Sequence, residues 1–249
     1  MTRKGGDVLD SNEILNKNIE AIDTQIKDGL SILNRNYRLV ELDCGSFSNL
    51  KIQNMSYNIR QYDIVGVGNL LMMESKNSTE LQMLSFIITP YYKNLPLFSS
   101  DYLFMKDNRS FLVEYYDLVK DKDLQYNTYI NKLRVIRDKY ADLTDMKLKE
   151  SWNDSLKTIC IAKRTSITQD NDMFSIFDEN LHTFVEKEQK TSLLSENDRR
   201  VKWQIIKDYV DKLIDIDGVS TNVFKNSLGA ETTRKFFHDV FFGIEKFKH

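Results

Sequence analysis

Along the chain the spacing of hydrophobic positions runs from a helical period to a strand period and back. Ile14, Ile19, Ile22, Ile26, Leu30 and Leu33 recur every three to five residues, which aligns them on one helix face. Asp10 and Glu13 precede them with the spacing of a capping box, Asp standing where Ser or Thr is more usual. From about Tyr37 to Asp117 short β-prone stretches follow one another: YRLVELD, LKIQNMSY, YDIVGVG, LQMLSFIIT, DYLFM and SFLVEYYD. Turn-like CGSFSN, ESKNST, PYYKNLP and KDNR separate them, and KDNR at 106–109 predicts a hairpin. Consecutive strands with short connections favour an antiparallel sheet.

Helices then return. Leu124, Tyr129, Leu133, Ile136 and Tyr140 form one stripe, and LKTICIA at 156–162 reads as one further strand. Phe174, Phe177, Leu181 and Phe184 mark a second helix, and Val201, Ile205, Tyr209 and Leu213 a third. Gly229 breaks a last helical pair that ends on an apolar face of Phe236, Phe237, Val240, Phe241 and Ile244. The expectation is an α/β protein in which helices pack on one antiparallel sheet. With no Pro/Ser-rich linker, low-complexity block or repeat, one domain is expected over 1–249: a helical segment to 35, the main strands over 36–118, and a mostly helical remainder over 119–249.

Composition narrows the chemistry. At 249 residues and 41% apolar the chain can bury a real core, and a net charge of −2 argues against a strongly basic nucleic-acid binder. No apolar run is long enough to span a membrane, and the first residues lack the apolar stretch of a signal peptide, so a soluble protein is expected. Cys44 and Cys160 lie far apart without a CxxC, which predicts neither a disulfide framework nor a zinc site. Beside the terminal His249 only His182 and His238 remain, too few for a convincing metal or Ser-His-Asp site. The nine glycines form no dinucleotide or P-loop signature. An enzyme of this composition draws its acids from carboxylates and its redox agent from outside.

Three places hold candidate chemistry. In NLPLFSSD (94–101), Asp101 either caps the turn shaped by Pro96 or points from the sheet into a pocket as a proton donor. Asp208, Asp211, Asp215 and Asp217 form either a solvated acidic face or, at Asp217 before Gly218, a functional loop position. In KLKESWNDSLKTICIAKR (147–164), Lys147, Lys149, Lys163 and Arg164 form either a solvated basic edge or an anchor for a ligand carboxylate or an acidic protein.

Taken together, LKIQNMSYN (50–58), LSFIITPYYKNLPLFSSDYLFMKDNRSFLVEYYDL (84–118), WNDSLKTICIAKRTS (152–166) and IDGVSTNVFKNSLGAETTRKFFHDVFFG (216–243) resemble the ferredoxin-dependent bilin reductases, most closely the phage-type phycoerythrobilin synthases. The resemblance covers most of the chain from about Leu39 and rests chiefly on the LPLFxxD turn with its hairpin and the LGxExxxxFxxDxxFG pattern. It implies a three-layer α/β/α sandwich with a central antiparallel sheet, and biliverdin IXα lying between sheet and C-terminal helices. It also implies reduced ferredoxin as the source of single electrons in a radical mechanism, with no flavin, metal or nicotinamide bound. A monomer is expected, in the cytoplasm or a plastid stroma. By the same resemblance Asp101 is a sheet-side acid and Asp217 a helix-side acid, while Lys147 (or Lys149) and Arg164 pair with the propionates. Ser85 stands where phycocyanobilin-making relatives have His and phycoerythrobilin-making relatives Asn. It therefore points away from phycocyanobilin chemistry and leaves open that activity has narrowed or been lost. The resemblance as a whole implies reduction to phycoerythrobilin by way of 15,16-dihydrobiliverdin, the alternative being a tetrapyrrole-binding protein with reduced or lost activity.

Overall fold

A computed structural model describes residues 10–216 and 219–248. Asp10 accepts from the Asn12 and Glu13 amides while Glu13 returns to the Asp10 amide, closing the expected capping box at the start of α1, Ser11–Asn36. Among the described residues nine strands follow in one antiparallel sheet: β1 Leu39–Leu42, β2 Asn49–Ile52, β3 Met55–Ile64, β4 Gly68–Ser75, β5 Gln82–Pro90, β6 Leu97–Met105, β7 Asn108–Tyr116, β8 Thr144–Asp145 and β9 Lys157–Ser166. Their order is β1-β3-β4-β5-β6-β7-β9-β8, with β2 also paired to β3. The helices are α2 Leu124–Lys139, α3 Asp170–Gln189, α4 Glu196–Asp215, α5 Val219–Leu228 and α6 Ala230–Phe236, the last running into a π-helical turn over Phe237–Phe241.

Side chains alternate across a strand, so each strand feeds two cores. On one face Leu84, Phe86 and Ile88 of β5, Phe98 and Phe104 of β6, and Phe111, Val113 and Tyr115 of β7 meet α1, α2 and α3. On the other, Leu71 and Met73 of β4, Ile87, Leu97 and Tyr116 meet α4 and the α5–α6 segment. The result is the α/β/α sandwich, with the sheet as its middle layer.

Several elements differ from the sequence pattern. LKIQNMSY is not one strand: it turns at Gln53, whose φ is +54°, and splits into β2 and β3. YDIVGVG is the end of β3 plus a turn, and the strand after it, β4, carries no polar alternation because both its faces are buried. Gly68 opens β4 where a Cβ would lie 2.2 Å from the Thr89 carbonyl oxygen, so only glycine lets β4 and β5 close there. The hairpin at 106–109 and the break at Gly229, φ +82°, form as expected.

On α4 the buried face is Lys202, Ile206, Tyr209, Val210 and Ile214, turned by one position from the predicted stripe, and Val201 is exposed. The cause is Lys202. Its fully buried amine donates to the carbonyls of Leu95, at 2.7 Å, and Leu118, pinning α4 to both ends of the β6–β7 hairpin. Burial lowers the ammonium to about 7, opposed only by the charge of Asp117. Above that pH the unfolded chain binds the extra proton, so this group adds stability as pH rises toward its unfolded value. Lys202→Met leaves two buried carbonyls unpaired and is expected to lose about 2 kcal/mol near neutrality. The deficit should widen toward pH 9, as read from urea unfolding at the two pH values.

Candidate functional site

Between the sheet and the α4–α6 layer lies a cavity of about 380 Å³, within the usual range for small-molecule sites. Its sheet wall carries a polar stripe set by strand register. Ser85 of β5 stands opposite Asp101 of β6, and Ser99 of β6 stands opposite Glu114 of β7. Being two apart on β6, Ser99 and Asp101 share a face, which places all four groups along one side of the cavity. The helical wall is apolar, built from Leu213, Phe224, Phe237, Phe241 and Phe242.

The π-helical turn makes that wall. It releases backbone carbonyls that an α-helix would occupy, and the buried amides of Gln61 and Asn69 on the sheet take them. Gln61 donates to the Asp239 carbonyl at 3.1 Å and Asn69 to that of Phe241 at 3.1 Å, while the Tyr91 hydroxyl donates to the Phe242 carbonyl at 2.9 Å. Anchored in this way, Phe237 and Phe241 stack at 4.9 Å, and Phe224 meets Phe237 edge-on at 5.5 Å.

Asp101 is half-buried and lines the cavity. Ser85 donates to its Oδ1 and Ser99 to its Oδ2, at 2.8 Å for the latter. Burial pushes its carboxyl above the ordinary carboxylate range; the two serine bonds oppose that shift and the nearby charge of Glu114 adds to it. Both hydroxyls can rotate, so the acid keeps its partners with or without its proton. A carboxyl that binds its proton more tightly than usual, facing an apolar space, is suited to general-acid work.

At one end of the stripe Tyr116, Tyr209 and Asn153 line the cavity, with Trp152 packed against Tyr209. The Tyr116 and Tyr209 rings meet at 5.6 Å and those of Trp152 and Tyr209 at 5.8 Å, with the Lys212 ammonium 4.5 Å above the Trp152 ring. Burial drives both tyrosine hydroxyls well up, so they stay protonated. The buried Asn153 Oδ1 has no partner among the described residues, which leaves an acceptor at the cavity wall.

No family model matches the chain. It is 28% identical over 169 residues to 15,16-dihydrobiliverdin:ferredoxin oxidoreductase from Nostoc punctiforme, spanning 65% of this chain and 68% of that one. The fold superposes on that of phytochromobilin synthase from tomato, solved in complex with biliverdin, with a TM-score of 0.74 at 15% identity, covering 91% of this chain and 85% of that one. The chain is thus similar in sequence to a ferredoxin-dependent oxidoreductase named for 15,16-dihydrobiliverdin and shares its fold with phytochromobilin synthase.

The residues expected to carry chemistry separate into groups. Ser85 and Asp101 come together in the cavity, and Asp101 sits in mid-strand, not at a turn cap. Asp217 lies outside the described residues. Leu213 and Thr221 flank it in sequence and both line the cavity, and the Thr221 hydroxyl donates to the Leu213 carbonyl at 3.1 Å. Arg164 is exposed on β9 opposite Ser110, in register with the cavity face of the sheet. Lys147 and Lys149 are exposed on the chain after β8, and neither they nor Arg164 are among the cavity-lining residues.

Two readings of charged runs change. Lys163 is buried and donates to Asp145 at 2.6 Å and to the Leu143 carbonyl at 3.1 Å, so it ties β8 to β9 and is no solvated edge charge. Asp211 is no free acid either: Lys207, Arg234 at 2.9 Å and His238 at 2.8 Å converge on it. Burial works to raise the Asp211 carboxyl, but the Lys207 and His238 bonds outweigh it and hold it below its ordinary value. Among the described residues no three His, Cys, Asp or Glu side chains gather to hold a metal ion, and no helix is long and apolar enough to cross a membrane.

Sequence reading passed over Glu114, Tyr116, Asn153 and Tyr209. The one available signal was the Glu of SFLVEYY, a charged residue inside an otherwise apolar buried strand.

Proposed function

We propose that this protein reduces biliverdin IXα in two two-electron steps, through 15,16-dihydrobiliverdin to phycoerythrobilin. Reduced ferredoxin delivers the electrons singly, with no flavin, metal or nicotinamide held by the chain. Each reduced bond takes two electrons and two protons, so the protein's part is to place the ligand and supply protons. The observation that carries this reading is Asp101, a carboxyl whose proton affinity is raised by burial, between two serine hydroxyls in the wall of an apolar cavity. The likeness to an oxidoreductase named for 15,16-dihydrobiliverdin and ferredoxin supports it, as does the fold shared with a synthase solved with biliverdin bound.

In this scheme Asp101 protonates the A-ring diene and Asp217 serves the 15,16 bond from the helical side. Arg164 and Lys147 pair with the two propionates, as cationic partners suit carboxylates. The protein works as a monomer. Anaerobic mixing with biliverdin, ferredoxin and a ferredoxin-reducing system, followed by visible absorbance, tests the scheme. Bleaching of biliverdin with the appearance of phycoerythrobilin is expected. Tight binding without bleaching would leave a tetrapyrrole-binding protein instead.

Ser85 gives a further expectation. Its hydroxyl meets Asp101 on the cavity face, so it does not pack into the α1–α3 core. Ser85→Asn keeps a neutral hydrogen-bonding group and is expected to leave the product unchanged. Ser85→His puts a titratable imidazole against Asp101; the two then protonate as a coupled pair and the product distribution should shift. Overpacking alone would cost about 1–3 kcal/mol. A histidine variant that melts early yet yields the parent product would show Ser85 to be packing only.

A further inference from the structure

The cavity holds a second carboxyl, Glu114, that the scheme above does not use. It is buried on β7, one strand over from Asp101 and on the same face. Every polar partner it has is a donor: the Lys157 ammonium at 3.0 Å and the Cys160 thiol at 3.4 Å on Oε1, and the Tyr116 hydroxyl at 2.7 Å on Oε2. The ammonium can only donate, and the phenol and thiol can donate too, so the surroundings of Glu114 are complementary to a negative charge. Lys157 is itself mostly buried and fixed on its other side by Asp154 at 3.0 Å, so the cation cannot swing away without breaking a second pair. Cys160 does not compete for the charge. Burial first, and then the Glu114 carboxylate, push its thiol up to about 12.

We propose that Glu114 is a positioning residue for the proton on Asp101: its negative charge, one strand away, disfavours a second carboxylate in the same wall and so favours uptake of a proton from water by Asp101 after each donation. Lys157 sets the strength of the effect by partly cancelling that charge. The inference rests on the reading of Asp101 as a proton donor, and it explains how one acid can serve repeated transfers. Two like charges sharing a low-dielectric wall cannot both form without penalty. Among the described residues the other titratable groups at the pair are Tyr102 from β6, Tyr116 from β7, Tyr209 from α4, and Lys157 and Cys160 from β9, with Asp154 beyond Lys157; β5 contributes the Ser85 hydroxyl.

The test reads Asp101 itself in the ligand-free protein. Infrared spectra of protein carrying 13C-labelled aspartate side chains, titrated against pH, give the protonated Asp101 carbonyl, assigned by its loss in Asp101→Asn. In Glu114→Gln the midpoint is expected to move to lower pH by on the order of one unit. In Lys157→Met, which strips the compensating cation, it should move to higher pH. A residue that only packs would shift neither midpoint in opposite senses. Unchanged midpoints in both variants, or shifts of the same sign, would overturn the proposal. Should Glu114→Gln fail to fold, Lys157→Met alone decides it, by moving the midpoint up or leaving it in place. Because no bilin is present, this outcome is separate from the fate of the reductase reading, which the anaerobic assay settles. If that assay shows turnover, the alkaline limb of the pH–rate profile of Glu114→Gln should move toward acid, in step with the infrared midpoint.

Discussion

Asp101→Asn is expected to bind biliverdin as the parent does and to lose reduction of the A-ring diene by at least about a hundredfold, the lower range for removing a general acid. Asn matches Asp in size and can still bond Ser85 and Ser99, but it has no proton to give. Stability should move the other way. Burial raises the Asp101 carboxyl, so its contribution to stability is present when protonated and is lost as pH rises through its folded value. The neutral amide escapes that loss, and the variant is expected to melt no lower than the parent at neutral pH. Single-turnover reduction and thermal melts on the same preparation check both halves. An unchanged rate and product would remove Asp101 from the mechanism.

Asp217→Asn is expected to stop an earlier step. The proposed scheme gives it the 15,16 bond; Asp217 itself lies outside the described residues, and Leu213 and Thr221, four before and four after it in sequence, line the cavity and are bonded to one another. Its loss should leave biliverdin unreduced at the 15,16 bond, whereas Asp101→Asn should let 15,16-dihydrobiliverdin accumulate. Chromatography of the bilins after a fixed reaction time separates the two outcomes. Identical mixtures from both variants would contradict the division of labour. Asp215→Asn is the natural control, because Asp215 is exposed and bonded to Arg234 outside the cavity.

Much of this architecture is written in local pattern. The α1 capping box, the hairpin at 106–109 and the helix break at Gly229 each follow from a few neighbouring residues, and each forms as the sequence predicts. What failed was anything set by distant partners. The strand β4 is apolar on both faces because two cores press on it, so alternation was never there to find. The face of α4 was misplaced by one position because Lys202 reads as a solvent residue, and only the carbonyls of Leu95 and Leu118 explain its burial. In the site, Asp101 and Ser85 were legible through resemblance. Glu114 was not, since its partners Lys157 and Cys160 come from a strand more than forty residues away in sequence.

The division of the interior by the sheet has an evolutionary consequence. The aromatic core against α1–α3 is complete without the cavity and contributes nothing to its lining beyond Tyr102. Substitutions that reshape the cavity, at Ser85, Met73 or Phe241, fall on the opposite face of the same strands or on the last helical segment. A lineage can therefore drift through many ligand-facing side chains while one half of its interior stays fixed as ballast. Such a scaffold is free to diverge in chemistry far faster than in shape, and two members with few identical residues keep one superimposable frame.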